Sequence, residues 1–283
     1  IDALERMPES FTAARLEALL ADVRAINTVA YDKIGKELVA ELRAFVVTET
    51  EFQSQLLIRA APVGVSFASV SAEAIYSAAY LQPFRVSKGG AVPMAQYLAG
   101  LSDARAKMVR DAVSLGWLEG QTVDQIVRRI RGTKARGFED GLMEGSRRHI
   151  EGMTRTALNH MSNATAQRVW KANEGLVEGW EFLATLDGRT TFRCASLDRQ
   201  VFPVGKGPIP PLHIGCRSVS VPKLRTWRDM GIDIDEFQPS QRASANGPVR
   251  GDMTYSQWLH SQPASVQDEV LGVTRAKLFR AGN

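Results

Sequence analysis

The residues of this chain best suited to chemistry are its only two cysteines, Cys194 and Cys216, with His213 three residues before the second. Thiolates and imidazole in a tight turn suit zinc, and His-x-x-Cys is an acceptable half-site. Structural zinc takes four ligands, whereas the sequence offers three obvious ones. Thr191, at the Cys-x-x-Cys position relative to Cys194, is a poor donor, so Asp187 or water would have to complete the shell. A Cys194–Cys216 disulfide is the second reading. It would close a loop of about 23 residues and contribute roughly 3 kcal/mol. The third reading is two reduced, buried cysteines with His213 satisfied by hydrogen bonds. A cysteine–histidine hydrolase fits poorly, because no orienting acid or oxyanion loop is readable.

The cysteines flank a loop dense in glycine and proline: Gly205, Gly207, Pro208, Pro210 and Pro211. Fixing each residue of such a loop costs about 1–2 kcal/mol of backbone entropy, with few apolar side chains to offset it. Cys194, His213 and Cys216 are therefore expected to converge and pin this segment between strands near Phe182, Phe202 and Val219. The strands expected are Trp180–Thr185, Gln200–Phe202 and Ser218–Val221, since each is rich in aromatic or β-branched residues.

Upstream, the chain reads as helix. Leu16, Leu19, Leu20, Val23, Ile26, Ala30, Ile34, Leu38, Leu42 and Phe45 recur at spacings of three and four, which predicts one long helix over 12–47, with room for a bend at Gly35. Such a stripe faces either a core or a partner protein. Pro62, Pro83, Gly89, Gly90 and Pro93 break up residues 61–95, leaving a short helix at Ala74–Leu81. Further helices are predicted at Ser102–Leu115, at Thr122–Gly132, where Thr122 and Gln125 have capping-box spacing, and at Gly141–Ala172. After Pro222 a polar linker is expected over Gln238–Gly251, then helical segments at Tyr255–Leu259 and Ser265–Phe279. The fold class is thus α+β: a mostly helical N-terminal two thirds with long helices, a small loop-rich β-containing domain and a short helical tail. The corresponding segments are 1–100, 101–174, 175–237 and 238–283.

Composition narrows the function. With 44% hydrophobic, 23% charged and 7% aromatic residues among 283, the chain is an ordinary globular protein, neither a disordered tail nor a disulfide-dense miniprotein. Its charge-free stretches, Ala60–Ala72 and Ala74–Phe84 among them, fall short of the roughly 20 apolar residues that cross a bilayer. Ile1–Arg6 has no basic or apolar leader, so a soluble protein without a signal peptide is expected. The absence of an initiator methionine suits a processed product or a part of something longer. Of the +4 net charge, residues 128–148 hold seven basic against three acidic residues, and residues 187–228 eight against two. This asymmetry points to an anionic partner more than the total does, while charge counts alone suit a solvated basic face equally well. The candidate DNA contacts are Arg128, Arg129, Arg131, Lys134, Arg136, Arg147 and Arg148. Phosphate-loop, nucleophile-elbow and zincin motifs are absent. Asn163-Ala164-Thr165 matches a glycosylation sequon but falls within a predicted helix.

Thr185-Leu186-Asp187-Gly188-Arg189-Thr190, then Cys194, Leu197-Asp198-Arg199-Gln200-Val201-Phe202-Pro203 and Pro210-Pro211-Leu212-His213-Ile214-Gly215-Cys216-Arg217-Ser218 together resemble the signature of the head-morphogenesis family. These are the Mu F-like minor head proteins of tailed bacteriophages. Arg155-Thr156, Asn159 and Asn163-Ala164 resemble the segment preceding that signature. Tyr255-Ser256-Gln257-Trp258-Leu259 and Leu271–Phe279 are similar to the family's C-terminal tail, so the resemblance spans about residues 100–283. Some members carry a cysteine where Thr191 stands, completing a four-ligand set from which this sequence departs. The resemblance implies a structural, non-enzymatic virion protein of the capsid interior or portal vertex, present in the host cytoplasm during assembly. Its partners would be portal or major capsid protein and packaged double-stranded DNA, bound without sequence preference, with no membrane. Zinc, as a cofactor, is suggested by Cys194, His213 and Cys216 themselves rather than by the resemblance. A DNA-binding regulator built on a helix-turn-helix-like segment at Leu101–Gly132 is the alternative; its turn, Gly116–Gly120, is longer than usual and base-reading Asn and Gln are few.

Overall fold

A computed structural model describes residues 13–61, 66–87, 90–137, 139–231, 233 and 241–282. The first element, α1 (Ala13–Ala60), is a single helix of 48 residues running unbroken through Gly35. At 1.5 Å per residue it reaches about 72 Å. The predicted start at residue 12 lies outside the described residues, and the helix continues well past the predicted end at 47. The reason is chemical. Beyond Phe45 the inward face turns polar at Thr50 and Gln53, both buried. Thr50 Oγ1 donates to the Val46 carbonyl (2.7 Å), and Gln53 Oε1 accepts from the Trp170 indole (3.1 Å). The apolar period fades while the helix persists, because its polar residues are satisfied in place.

Next comes α2 (Ala72–Leu81), capped by Ser71, whose hydroxyl accepts from Ala74 N. The proline-broken stretch after it holds an antiparallel hairpin, β1 (Phe84–Ser87) with β2 (Gly90–Val92), that the sequence reading does not anticipate. Helix α3 (Met94–Leu118) starts eight positions before the predicted Ser102 and passes through Gly116 rather than ending there. A Cβ at Gly116 would lie 2.6 Å from Ile126, so glycine serves close helix contact, not termination. Helix α4 (Val123–Arg131) begins with the predicted capping box: Thr122 N donates to Gln125 Oε1 (2.8 Å) and Gln125 N to Thr122 Oγ1 (3.3 Å). Ile126 and Ile130 face inward, and a short 3₁₀ turn at Lys134–Arg136 leads to α5 (Leu142–Ala172).

The β-containing part follows: β3 (Val177–Leu183), a one-and-a-half-turn α6 (Phe192–Leu197), β4 (Val201–Phe202) and β5 (Val219–Leu224). The strands form an antiparallel sheet in the order β4-β3-β5, with Trp180 opposite both Phe202 and Pro222. The expected polar linker over 238–251 is instead a second hairpin, β6 (Gln241–Ser244) and β7 (Gly247–Arg250); residues 234–240 lie outside the described ones. The expected final helix is split at Gly272, so the tail is α7 (Tyr255–His260), α8 (Ala264–Leu271) and α9 (Val273–Arg280). The fold is α+β with a helical N-terminal region. No helix of the described residues is long and apolar enough to cross a membrane.

One cluster of buried side chains joins Leu42, Ile75, Met94, Met161 and Trp170 of the helices to Trp180 and Phe182 of β3 and to both cysteines. A second holds Leu186, Tyr255, Trp258 and Leu259. The two meet at a buried ion pair. The Asp198 side chain, 1% exposed, accepts from both terminal nitrogens of Arg242 (3.0 and 3.1 Å), from Ala184 N (2.8 Å) and from Tyr255 N (2.7 Å). Arg242 also donates to the carbonyls of Ala184 and Met253 (2.7 Å each). Removing one partner of a buried pair strands the other charge, which costs about 3–5 kcal/mol. Asp198→Ala is accordingly expected to lower the urea-unfolding free energy by about that amount. An unchanged midpoint would refute the role of this carboxylate as the joint between sheet and tail.

His160, 3% exposed, stacks on Phe84 (centroids 4.2 Å apart) and donates from Nε2 to the Ala79 carbonyl (2.9 Å). Burial pushes its pKa down from 6.5 to about 4, against the opposing effect of that hydrogen bond. The unfolded chain therefore takes up this proton first, and the stabilisation is whole above pH 6.5 and lost as pH falls toward 4. Two and a half pKa units correspond to about 3 kcal/mol. His160→Gln keeps an amide donor for Ala79 but cannot titrate. Chemical denaturation from pH 7 to pH 4 should show the wild type losing on the order of 3 kcal/mol more than this variant.

Candidate metal centre

Helix α5 sets the position of the site. Thr156, Asn159, Asn163 and Gln167 lie three or four residues apart and so share one face. Each meets a backbone group of the loop region. Gly215 N donates to Thr156 Oγ1 (2.8 Å), Asn159 Nδ2 to the Ser218 carbonyl (2.9 Å), Ser220 N to Asn163 Oδ1 (2.8 Å) and Gly205 N to Gln167 Oε1 (2.8 Å). Asn163 is 2% exposed and engaged in this way, which leaves its sequon a coincidence of sequence. From the sheet, the Trp180 indole donates to the carbonyls of Pro203 (3.1 Å) and Lys206 (2.9 Å). Ordinary hydrogen bonds thus hold much of the glycine–proline loop, a contribution the sequence reading assigned to a cross-link.

Within this frame Cys194, His213 and Cys216 converge as expected. Cys194 sits on α6, whose cap Thr191 accepts from Cys194 N (3.4 Å). His213 and Cys216 belong to one turn closed by Cys216 N donating to the His213 carbonyl (3.2 Å), with Gly215 at φ +71°, where a side chain would be strained. Cys194 Sγ lies 3.4 Å from His213 Nε2 and 3.9 Å from Cys216 Sγ. The three ligand atoms all lie within 4.8 Å of one another, so the group can hold a metal ion. Both cysteines are buried and unbridged, which sets the disulfide reading aside for this state.

Asp187 does not join them. Its carboxylate forms a two-point pair with the Arg217 guanidinium and also accepts from Arg189 N (3.0 Å) and Thr190 Oγ1 (3.2 Å). Although burial raises its pKa, these hydrogen bonds and the Arg217 charge hold it below the usual carboxylate range. Asp187 is a loop anchor, not a ligand. Its spacing to Cys194 gave no hint of the arginine waiting 30 residues downstream.

The donor set, two sulfurs and an imidazole, suits a soft cation. His213 Nδ1 lies 2.9 Å from the Ile214 carbonyl, which can only accept, so Nδ1 is the donor there and Nε2 is the nitrogen on the side of the sulfurs. The Cys194 thiol is pushed up by its hydrogen bond with Cys216 and by burial. Cys216 is held below the ordinary thiol range, first by the Cys194 hydrogen bond, then, against burial, by backbone hydrogen bonds at Leu212 and Ser218 and by His213. The two sulfurs are hydrogen-bonded partners, and an ion held here would face both of them and an imidazole nitrogen.

The basic residues do not form one even face. Arg128, Lys134, Arg136 and Arg148 are exposed, whereas Arg129 is half-buried and paired with Glu119 (2.9 Å) and Arg131 is partly buried. The side chain of Arg147 lies outside the described part. Arg128, Arg129 and Arg131 also occupy the last turn of α4, where cations complement the helix dipole.

Compared with protein-family models, with curated proteins and with solved structures, the chain matches none.

Asn163→Ala is expected to cost about 1–3 kcal/mol, because it leaves the buried Ser220 N–H without an acceptor. Urea unfolding measures the effect, and a midpoint equal to that of the wild type would refute it.

Proposed function

We propose that this chain is a structural head protein of a tailed bacteriophage, a minor head component that docks on the portal or inner capsid and touches packaged double-stranded DNA without reading its sequence. The observation that carries this reading is that the residues bearing the family resemblance, spread over a hundred positions, hold one another. Asp187 pairs with Arg217, and Asp198 receives Tyr255 N from the tail. Thr156, Asn159 and Asn163 bind the backbone of Gly215, Ser218 and Ser220, and the cysteines meet His213. A signature whose parts interlock in this way describes a folded module rather than a set of unrelated coincidences.

The ion of this module would be zinc. Zinc–sulfur bonds of about 2.3 Å and zinc–nitrogen bonds of about 2.0–2.1 Å give tetrahedral edges near 3.8 Å between sulfurs and near 3.5 Å from sulfur to nitrogen. The observed separations are 3.9 and 3.4 Å. When bound, zinc would supply a cross-link between α6 and the His213–Cys216 turn, and its uptake would release protons.

The regulatory alternative has one geometric argument. With α3 ending at Leu118 and α4 beginning at Val123, the connection is four residues, the length of a helix-turn-helix turn. The arginines, however, lie at the C-terminal end of α4, while a recognition helix reads bases mainly with its N-terminal residues.

Two experiments decide between them. Portal protein from assembling heads should co-purify with the tagged chain, and its absence would overturn the docking part of the proposal. Four exposed cations neutralising about four phosphates predict a slope of log K against log salt near −3.6, about a hundredfold loss between 50 and 200 mM salt. Arg128→Ala with Lys134→Ala and Arg136→Ala should flatten that slope by roughly 3. A salt-independent affinity would overturn the DNA contact, and a protected site in footprinting would favour the regulator.

A further inference from the structure

Beside the sulfur–imidazole group lies a small, half-open cavity of about 20 Å³, lined in part by Cys194 and His213 themselves. A single water needs about 10–15 Å³ of such space and two or more polar partners. The rest of the wall is polar: the hydroxyl residues Thr185, Thr190, Thr191 and Ser218, with Arg189 and Arg217. Several of these already spend their protons elsewhere. Thr185 Oγ1 donates to the Arg217 carbonyl (3.1 Å), Thr190 Oγ1 to the Thr185 carbonyl (2.6 Å), and Arg217 is committed to Asp187. Thr185 and Thr190 therefore have lone pairs, not protons, left to offer a further partner. A solvent molecule bound to a cation is a strong donor with two protons to place, and such a wall accepts them.

Among the described residues no fourth protein ligand competes for that position: the group contains only the two sulfurs and the imidazole, and the nearby carboxylate of Asp187 is engaged by Arg217 and Arg189 N. We infer that the fourth coordination position of an ion held by Cys194, His213 and Cys216 opens into this cavity and is filled by an exchangeable solvent molecule. The chemical class that can replace it is a monodentate ligand of one or two heavy atoms, such as cyanide; a ring such as imidazole exceeds the space. The site is thus open in the sense of zinc sites with three protein ligands, rather than the closed four-ligand structural type. This inference rests on the metal reading of the three residues.

The test uses the full chain, reduced, freed of metal and loaded with one equivalent of Co²⁺. Thiolate-to-cobalt charge-transfer absorption should appear, and Cys216→Ser should diminish it. In ¹⁷O-enriched water the low-temperature paramagnetic resonance signal of the cobalt should broaden, reporting a solvent oxygen on the ion. Cyanide should shift the visible bands saturably with one equivalent bound per cobalt, while imidazole should leave them unchanged. Absence of the charge-transfer absorption overturns the metal reading and this inference with it. Absorption that is present but insensitive to ¹⁷O and to cyanide overturns the open position alone, as does X-ray absorption showing a third sulfur. A response to imidazole equal to that of cyanide overturns the cavity as the gate.

Discussion

Every backbone polar group that a loop buries must find a partner, and in this protein one face of α5 supplies four of them. Thr156, Asn159, Asn163 and Gln167 meet Gly215, Ser218, Ser220 and Gly205, while His160 and Trp170, on the same face, reach Ala79 of α2 and Gln53 of α1. A buried polar group without a partner costs about 1–3 kcal/mol, so the placement of this helix decides several such terms at once. Shifting α5 by one residue would rotate its side chains by about 100° and lose contacts on both sides together. The long helices and the small sheet are therefore not separately stable units leaning on each other. They share the satisfaction of one polar stripe.

The Asp198–Arg242 pair does for the tail what α5 does for the loop. Two buried charges are costly in a low-dielectric interior unless the geometry is good and the leftover donors and acceptors are used. Here they are used: the carboxylate also takes two backbone N–H groups and the guanidinium two carbonyls. The chain segments joined, near Ala184, Asp198, Arg242, Met253 and Tyr255, come from β3's end, the loop after α6, the second hairpin and the start of α7. Arg199, beside the pair, adopts φ +67°, unusual for a side-chain-bearing residue, and its guanidinium reaches the Gly251 carbonyl (2.9 Å) and Glu181 (2.7 Å). The energy that holds Arg199 in that conformation comes from the same junction.

What could be read in the sequence divides along physical lines. The capping box at Thr122 was legible because it is local, two residues bonding each other across one turn. The convergence of Cys194, His213 and Cys216 was legible because three soft ligands within one loop have few other uses. The end of α1 was misplaced because a buried Gln53 looks exposed until Trp170 is known to face it. The hairpin at 241–250 was taken for linker although Asn246-Gly247 between short strands is a strong turn signal; polar strands with one residue in two half-buried escaped a search for apolar alternation. Asp187 was misassigned for a third reason. A carboxylate near cysteines suggests a ligand, and only the folded chain reveals that Arg217 has claimed it.

These contacts change the role a metal ion would have. A loop rich in glycine seemed to need a cross-link to be ordered at all, yet Trp180, Gln167, Thr156 and the Asp187–Arg217 pair already fix its two ends and its turn. The Cys194–Cys216 and Cys194–His213 separations, 3.9 and 3.4 Å, thus belong to a loop that its own hydrogen bonds already hold. An ion entering such a site orders little further chain, and binding to preorganised groups loses less of its free energy to entropy. That advantage offsets the missing fourth ligand, since one bond fewer is tolerable where the other three cost little to align. An ion at Cys194, His213 and Cys216 would thus add its bonds to a segment already ordered by hydrogen bonds, unlike small zinc modules in which folding and metal binding are a single event.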